Sequence, residues 1–398
     1  MHVLLVSGEY PPMQGGVGAY TEELAKALLG LGLDVSVLTD SRAIPLHRAP
    51  GSPQTYPQVT RWGWGSLGQI ARCARSVHAQ WIHVQYQTAA YGMHPAINFG
   101  PLLWQRQGFR VAWTYHDLLV PYLFPKAGER LRRWVTERAA FAADVTIVTN
   151  AQDRERLAGR VPTLTAIPIG SNIQSATVGE AERRRLRAGW GVGDDVLLLA
   201  YFGFLNRSKG GITLVETLQR LVADGRNAHL LLIGERVGAS DPTNFVYLQE
   251  VEARIAGLGL GERVHWSGRL DDPEVARALN GIDVLVMPYT DGASLRRGTL
   301  MAGLANGCAI VTTTPQSPLP DLRDGLEWLA VPPENPTATA QAVARLADDP
   351  ALSGKLRANA RRASANYSWE RIAARHLPLY GAASGLAIPG SLPDNQSL

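Results

Sequence analysis

Four short stretches of this chain place anion-binding or proton-handling residues directly after an apolar run. In "SGEYPPMQGGVGAYTEELAKALLGLG", Gly15, Gly16 and Gly18 permit close backbone approach at the start of a helical pattern. Free amides and the positive end of a helix dipole there suit a diphosphate or a sugar acceptor. The same residues also read as a plain glycine-rich turn, and their spacing is not that of a dinucleotide fingerprint. In "AWTYHDLLVPY", His116 and Asp117 end an apolar run, so that His116 either donates a hydrogen bond to a ligand oxygen or serves the core. His83 in "WIHVQYQ" has a similar place and the same two readings.

The third stretch, "YFGFLNRSKGGITLVETLQRL", passes from strand through a turn opened by Gly203 into a helix, with Arg207 and Lys209 beside the helix start. Cations at a helix N-terminus make a stronger phosphate site than either feature alone, and a solvated surface pair is the alternative. The fourth, "TDGASLRRGTLMAGLANGCAIVTT", predicts a helix over about 299–306. Its first amides, at Gly298, Thr299 and Leu300, are free to meet a phosphate, Ser294 and Thr299 offer hydroxyls, and Arg296 or Arg297 offers charge. An ordinary helix start with exposed arginines fits this segment too.

These stretches need a scaffold, and the pattern around them supplies it. Short β-branched runs at 2–7, 34–39, 81–86, 110–116 and 144–149 alternate with helical patterns, and a second series follows at 196–203, 228–234, 263–268, 283–288 and 309–314. Such alternation predicts βαβ units on two parallel sheets in tandem, with ligands at the carboxyl ends of the strands. Between the series, residues 171–195 are polar and contain glycine, which marks a linker leading into a short basic helix, with the boundary near residue 175.

Composition excludes several classes. The chain has 398 residues, 45% of them hydrophobic, enough for a large core in two domains. Cys73 and Cys308 lack metal or redox spacing, which sets disulfides and zinc aside. The amino-terminal residues show no leader pattern and no run is long enough to span a bilayer, so a cytosolic protein is expected. The net charge of +4 comes from 39 cations among 35 anions, without the continuous basic face and aromatic platforms that nucleic acid requires. The stretch 118–141 joins apolar residues to Lys126, Arg130, Arg132, Arg133 and Arg138, diluted by Glu129 and Glu137. It reads as an amphipathic surface helix or as a peripheral contact with an anionic membrane.

In order along the chain, these segments resemble family-four, group 1 glycosyltransferases. "EYPPMQGGVGAYTEELAKALLGLGLDVSVLT" is similar to the family's amino-terminal signature, "TYHDL" to its strand-end histidine, and "IPIGSN" to its hinge turn. "GFLNRSKG" resembles its phosphate motif, "RVHWSGRLDDPEVARALNGIDVLVMPYTDG" its nucleotide-side strands, and "ANYSWERIAARHLPLYG" its last helix. The resemblance implies an α/β GT-B fold: two facing Rossmann-like domains with an interdomain active-site cleft. Residues 1–175 would form the acceptor-side domain, completed by a helix at about 372–385, and residues 176–371 the donor side; the turn-forming composition of the last residues predicts a flexible tail at 386–398.

It further implies retaining transfer from a nucleotide-diphosphate sugar to a glycan, lipid-linked or small-molecule hydroxyl. Lys209, Arg207 and the amides of Gly298 to Leu300 would sit on the phosphates, Gly16 and Gly18 on donor phosphates or acceptor, and His116 on sugar or diphosphate. No cofactor is implied, and with no Asp-x-Asp sequence anywhere, no metal is expected. Two departures stand out. The family's paired glutamates align with Ser294 and Ala302, and its phosphate-motif arginine with Phe204. A catalytically silent sugar-nucleotide binder or partner subunit is therefore the rival reading. A sugar-nucleotide epimerase of the same architecture would need acid and base carboxylates that this sequence does not display.

Overall fold

The computed structural model describes residues 1–13, 15–44, 51–121, 125–236, 243–319 and 321–382. The expected tail, and residues 122–124 of the membrane-like stretch, lie outside them. The chain divides into two compact units, one of residues 1–170 with the segment from Ser368 onward, the other Ser171–Tyr367. The divisions fall a few residues before the expected 175 and 371.

In the first unit, strands β1 (His2–Ser7), β2 (Asp34–Asp40), β3 (Gln54–Val59), β4 (Trp81–Tyr86), β5 (Arg110–Tyr115), β6 (Val145–Val148) and β7 (Leu164–Ala166) form one sheet in the order β3-β2-β1-β4-β5-β6-β7. Every pairing is parallel. Helices cover both faces of such a sheet, so β1 and β4 are buried nearly throughout and read as continuous apolar runs. Alternate residues serve two cores. Val3, Leu5, Trp81, Ala112 and Ile147 pack with the helices Gly16–Gly30 and Trp369–Ala382, while Leu4, Val6, Ile82, Val84 and Trp113 pack on the other side.

The second unit repeats the plan with β8 (Leu197–Phe202), β9 (Ala228–Ile233), β10 (Val264–Trp266), β11 (Val284–Met287), β12 (Ile310–Thr313) and β13 (Leu329–Val331), ordered β10-β9-β8-β11-β12-β13 and again parallel. Three strands were not expected. β3 contains Pro57, which lacks a ladder donor and is tolerated at this edge, while β7 and β13 have three residues each and show no period.

Both sheets reverse their strand order once, between β1 and β4 in the first and between β8 and β11 in the second. At such a point the connections leave in opposite directions, and a crevice opens at the carboxyl ends of the strands. The glycine-rich stretch follows β1, the Lys209 turn follows β8, and the Arg296–Arg297 loop follows β11.

The basic helix expected after the linker spans Glu180–Gly189. One of its arginines is structural: Arg187 is 0% exposed, bonds Asp283 at 3.1 Å and donates to the carbonyls of Gly193 and Val196.

Candidate functional site

In the second unit the backbone draws two of the predicted stretches together. The Thr290 amide donates to the Ser208 carbonyl at 3.1 Å, and a Cβ at Gly203 would lie 2.9 Å from the Thr299 methyl. Gly203 (φ +116°) and Gly210 (φ +70°) adopt conformations that suit glycine, and a Cβ at Gly210 would strike the Pro288 carbonyl oxygen. Gly210 then starts the helix Gly211–Ala223.

Lys209 lies half-buried in this corner with its ammonium 5.2 Å from the Tyr289 ring centroid, and the Arg297 guanidinium lies 4.8 Å from the same centroid. Burial first, and then the charge of Arg297, push Lys209 down to about 7, with Arg296 adding to the effect and Asp291 opposing it. Asp291 accepts from Arg296 at 3.1 Å and from Arg297 at 2.6 Å. Three cations therefore share one carboxylate, and among the described residues Lys209 has no carboxylate of its own. Such a corner is short of negative charge.

Four expectations need correction here. Arg207 does not join Lys209: it is exposed, pairs with Glu250 at 2.9 Å and stacks over the Tyr247 ring. Successive positions of a short turn point apart, which the sequence spacing alone conceals. Arg296 and Arg297 are not free cations but partners of Asp291. The Leu300 amide already donates to the Arg297 carbonyl at 3.0 Å, so Gly298 and Thr299 carry the unbonded amides of the helix Gly298–Ala305. The Thr299 hydroxyl is shared with the Tyr289 hydroxyl at 2.8 Å, whose pKa burial pushes up to about 12. Ser294 stays in the turn, its carbonyl accepting the Arg297 amide.

In the first unit the glycine-rich loop is built around a residue that the sequence reading passed over. Glu9 accepts hydrogen bonds from the amides of Val17 at 3.0 Å and Gly18 at 3.2 Å, and burial raises its pKa. A Cβ at Gly15 would overlap the Glu9 carboxylate at 2.0 Å, and one at Gly18 would lie 3.0 Å from the backbone of residues 9 and 10. Gly16 meets nothing. This corrects the picture of amides standing open for a phosphate, since the chain's own carboxylate takes two of them. A glutamate eight residues before a helix amide has no local spacing rule, so only the folded loop reveals it.

His116 follows β5 and sits edge-on to the Tyr20 ring, with centroids 4.6 Å apart. Its Nε2 lies 3.1 Å from Gln85 Oε1, and burial pushes its pKa down to about 3. Asp117 accepts from Gln87 and from the Leu119 amide. His83 is wholly buried and serves the core network of β4 and β5.

Comparison with known proteins fits this geometry. Residues 14–174 match the family described as Glycosyltransferase Family 4, and residues 197–349 match Glycosyl transferases group 1. The chain belongs to the family 4, group 1 glycosyltransferases. A D-inositol 3-phosphate glycosyltransferase of Geodermatophilus obscurus is 28% identical over 95% of this chain and 88% of its own length. A 2-deoxystreptamine glucosyltransferase of Streptomyces kanamyceticus is 24% identical over 67% and 73%. Among solved structures, sucrose-phosphate synthase of Thermosynechococcus elongatus matches with a TM-score of 0.72 at 22% identity, covering 96% of this chain and 99% of that one. HepE of Anabaena, solved in complex with UDP-glucose, matches with 0.72 at 16%, covering 97% and 100%. The fold is GT-B, with two Rossmann-like parallel-sheet domains.

Within this glycosyltransferase family the chain's departures have structural consequences. Ala302 is 0% exposed inside its helix and Phe204 is 40% exposed. No helix among the described residues is long and apolar enough to cross a membrane.

Proposed function

We propose that this glycosyltransferase moves a sugar from a nucleotide-diphosphate sugar to a hydroxyl acceptor, with retention of configuration and without a divalent metal. The observation that carries this reading is the Lys209 corner at the β8–β11 switch point, where three cations share the single carboxylate of Asp291. Transfer succeeds by stabilising charge as it develops on the departing diphosphate, and Lys209 with the Gly298 and Thr299 amides is preorganised for that charge. Arg296 and Arg297, tethered by Asp291, supply the surrounding positive field that a metal provides in other transferases. The UDP-glucose held by the Anabaena neighbour supports a nucleotide-sugar donor. The cyclitol-directed names of the relatives support a small polyhydroxylated acceptor. His116, at the end of β5, would meet a hydroxyl of the substrate.

Ala302 favours a second reading, a protein that binds the sugar nucleotide without turning it over, because the buried alanine methyl offers a ligand no carboxylate. Calorimetry against nucleoside diphosphates and their sugars, with and without magnesium, separates the cases when paired with product analysis. Micromolar binding that is indifferent to metal and lost in Lys209→Met, together with a product of retained anomeric configuration, supports transfer. Binding with no product from any polyol acceptor supports the binder, and no binding overturns both.

The helix Gly128–Ala142 exposes Leu131 (51%) and Trp134 (48%) beside Arg130, which supports a peripheral contact with anionic membrane. That face is less basic than its sequence. Arg132 donates to the Pro121 carbonyl, Arg133 pairs with Glu129, and Arg138 stacks on Phe99 and Trp134.

A further inference from the structure

Where neighbouring strands bury apolar residues against the helix Trp369–Ala382, β4 and β5 bury polar ones. The phase that supplies Trp81 and Ala112 continues into His83, Gln85 and Thr114, each 0% exposed. Polar groups in such a place are costly unless every hydrogen-bonding atom finds a partner. They find partners in one another. His83 Nδ1 lies 2.6 Å from the Tyr380 hydroxyl, and His83 Nε2 lies 2.7 Å from Thr114 Oγ1 and 3.1 Å from Gln85 Nε2. Gln85 Oε1 in turn lies 3.1 Å from His116 Nε2. One turn before Tyr380, His376 donates from Nδ1 to the Ile372 carbonyl at 2.8 Å, its ring 5.7 Å from His83. A continuous polar line thus runs from the last helix to the candidate substrate-binding histidine.

The carboxamide gives this line a direction. Its nitrogen only donates and its oxygen only accepts. Facing the Gln85 amide nitrogen, His83 Nε2 must accept, which puts the His83 proton on Nδ1, pointing to Tyr380. Facing the Gln85 oxygen, His116 Nε2 must carry its proton. Burial keeps the line neutral: it lowers His83 well below the usual histidine range, His116 to about 3 and His376 to about 4. His116 Nδ1 has no partner among the described residues.

We propose that Gln85 is a positioning residue that locks His116 as its Nε2–H tautomer and leaves Nδ1 as a hydrogen-bond acceptor for a substrate hydroxyl. This reverses the expectation that His116 donates to a ligand oxygen. A lone pair at that atom welcomes an O–H of a sugar or polyol and repels a phosphate oxygen, so the histidine selects the polyol end of a ligand. The choice of ligand rests on the transferase reading above, whereas the tautomer is a property of the unliganded protein.

The test is a long-range proton–nitrogen correlation spectrum of protein labelled with nitrogen-15 at histidine, near pH 7, with His116 assigned by its absence in His116→Gln. The expected result is a single His116 tautomer protonated at Nε2. In Gln85→Met, which keeps the length of the side chain without its donor or acceptor, His116 should become a tautomer mixture. Transfer should then slow roughly tenfold in kcat, with the KM for donor changed less than twofold. A His116 protonated at Nδ1 in the wild type, or an unchanged tautomer in Gln85→Met, overturns the proposal. If Gln85→Met does not fold, the wild-type spectrum alone decides. Failure of the transferase reading shows separately, as wild-type protein that binds no sugar nucleotide while its histidine spectrum is as expected.

Discussion

Replacing Lys209 with Met keeps most of the stem that lies against Tyr289 and removes the ammonium, so stability and binding should change in opposite directions. An unfolded lysine titrates near ~10.4. In the folded protein burial, then Arg297 and Arg296, hold Lys209 at about 7. Between those values the unfolded chain binds the additional proton, so the lysine's contribution to stability improves as pH rises through the window and is least favourable below about pH 7. The whole shift corresponds to ~4 to 5 kcal/mol, and solvent screening of a half-buried group reduces the expected penalty to roughly 1–2 kcal/mol. Lys209→Met should therefore raise the Tm of the ligand-free protein by roughly 2–8 °C at pH 6.5 and by much less at pH 10. A diphosphate beside the ammonium restores its proton. Wild-type affinity for a nucleoside diphosphate should then fall about tenfold per pH unit between roughly pH 7.5 and 9, with proton uptake on binding. Scanning calorimetry at the two pH values, and titration calorimetry in two buffers of different ionisation enthalpy, read both effects. A lower Tm in Lys209→Met at pH 6.5, or an affinity flat from pH 7 to 9, would show that Lys209 is an ordinary solvated lysine, and the argument from a charge-starved corner would fail.

Gly15→Ala should destabilise by about 1–3 kcal/mol, because its Cβ overlaps the Glu9 carboxylate, while Gly16→Ala should be within about 0.5 kcal/mol of wild type by denaturant unfolding. Arg187→Ala leaves the carbonyls of Gly193, Gly281 and Val196 without their buried donor, while Asp283 keeps Arg183 and the Leu198 amide, and should cost roughly 2–4 kcal/mol, a loss that urea titration would detect. Asp291→Asn removes the shared carboxylate from three cations, so the pH dependence of nucleotide binding should move to lower pH; an unmoved profile would show that Asp291 does not set the field at Lys209. Vesicles with anionic headgroups should pellet the wild-type protein in a salt-sensitive way and Arg130→Glu with Trp134→Gln less well, equal pelleting being the result that removes membrane contact.

Local patterns were enough for the parts of this protein whose physics is local. Apolar runs marked the nine central strands because these are buried on both faces, and the β-branched and aromatic residues of the short edge strand β10 marked a tenth, whereas Pro57 in an edge strand and the three-residue β7 and β13 gave no period to follow. The order of motifs gave the family, and the position of Lys209 after β8 pointed to the corner where three cations share the Asp291 carboxylate. What the sequence left open was every choice between partners distant along the chain. Arg207 and Lys209 look equivalent two residues apart, yet one reaches Glu250 and the other the Tyr289 ring. Glu9 and the Gly18 amide, Asp291 and its two arginines, and Gln85 between His83 and His116 are set by where strands end and loops turn back. Charges and hydrogen-bonding groups can be counted in a sequence, but their pairing depends on distances of a few ångströms, and those are decided only when the sheets are closed by their helices.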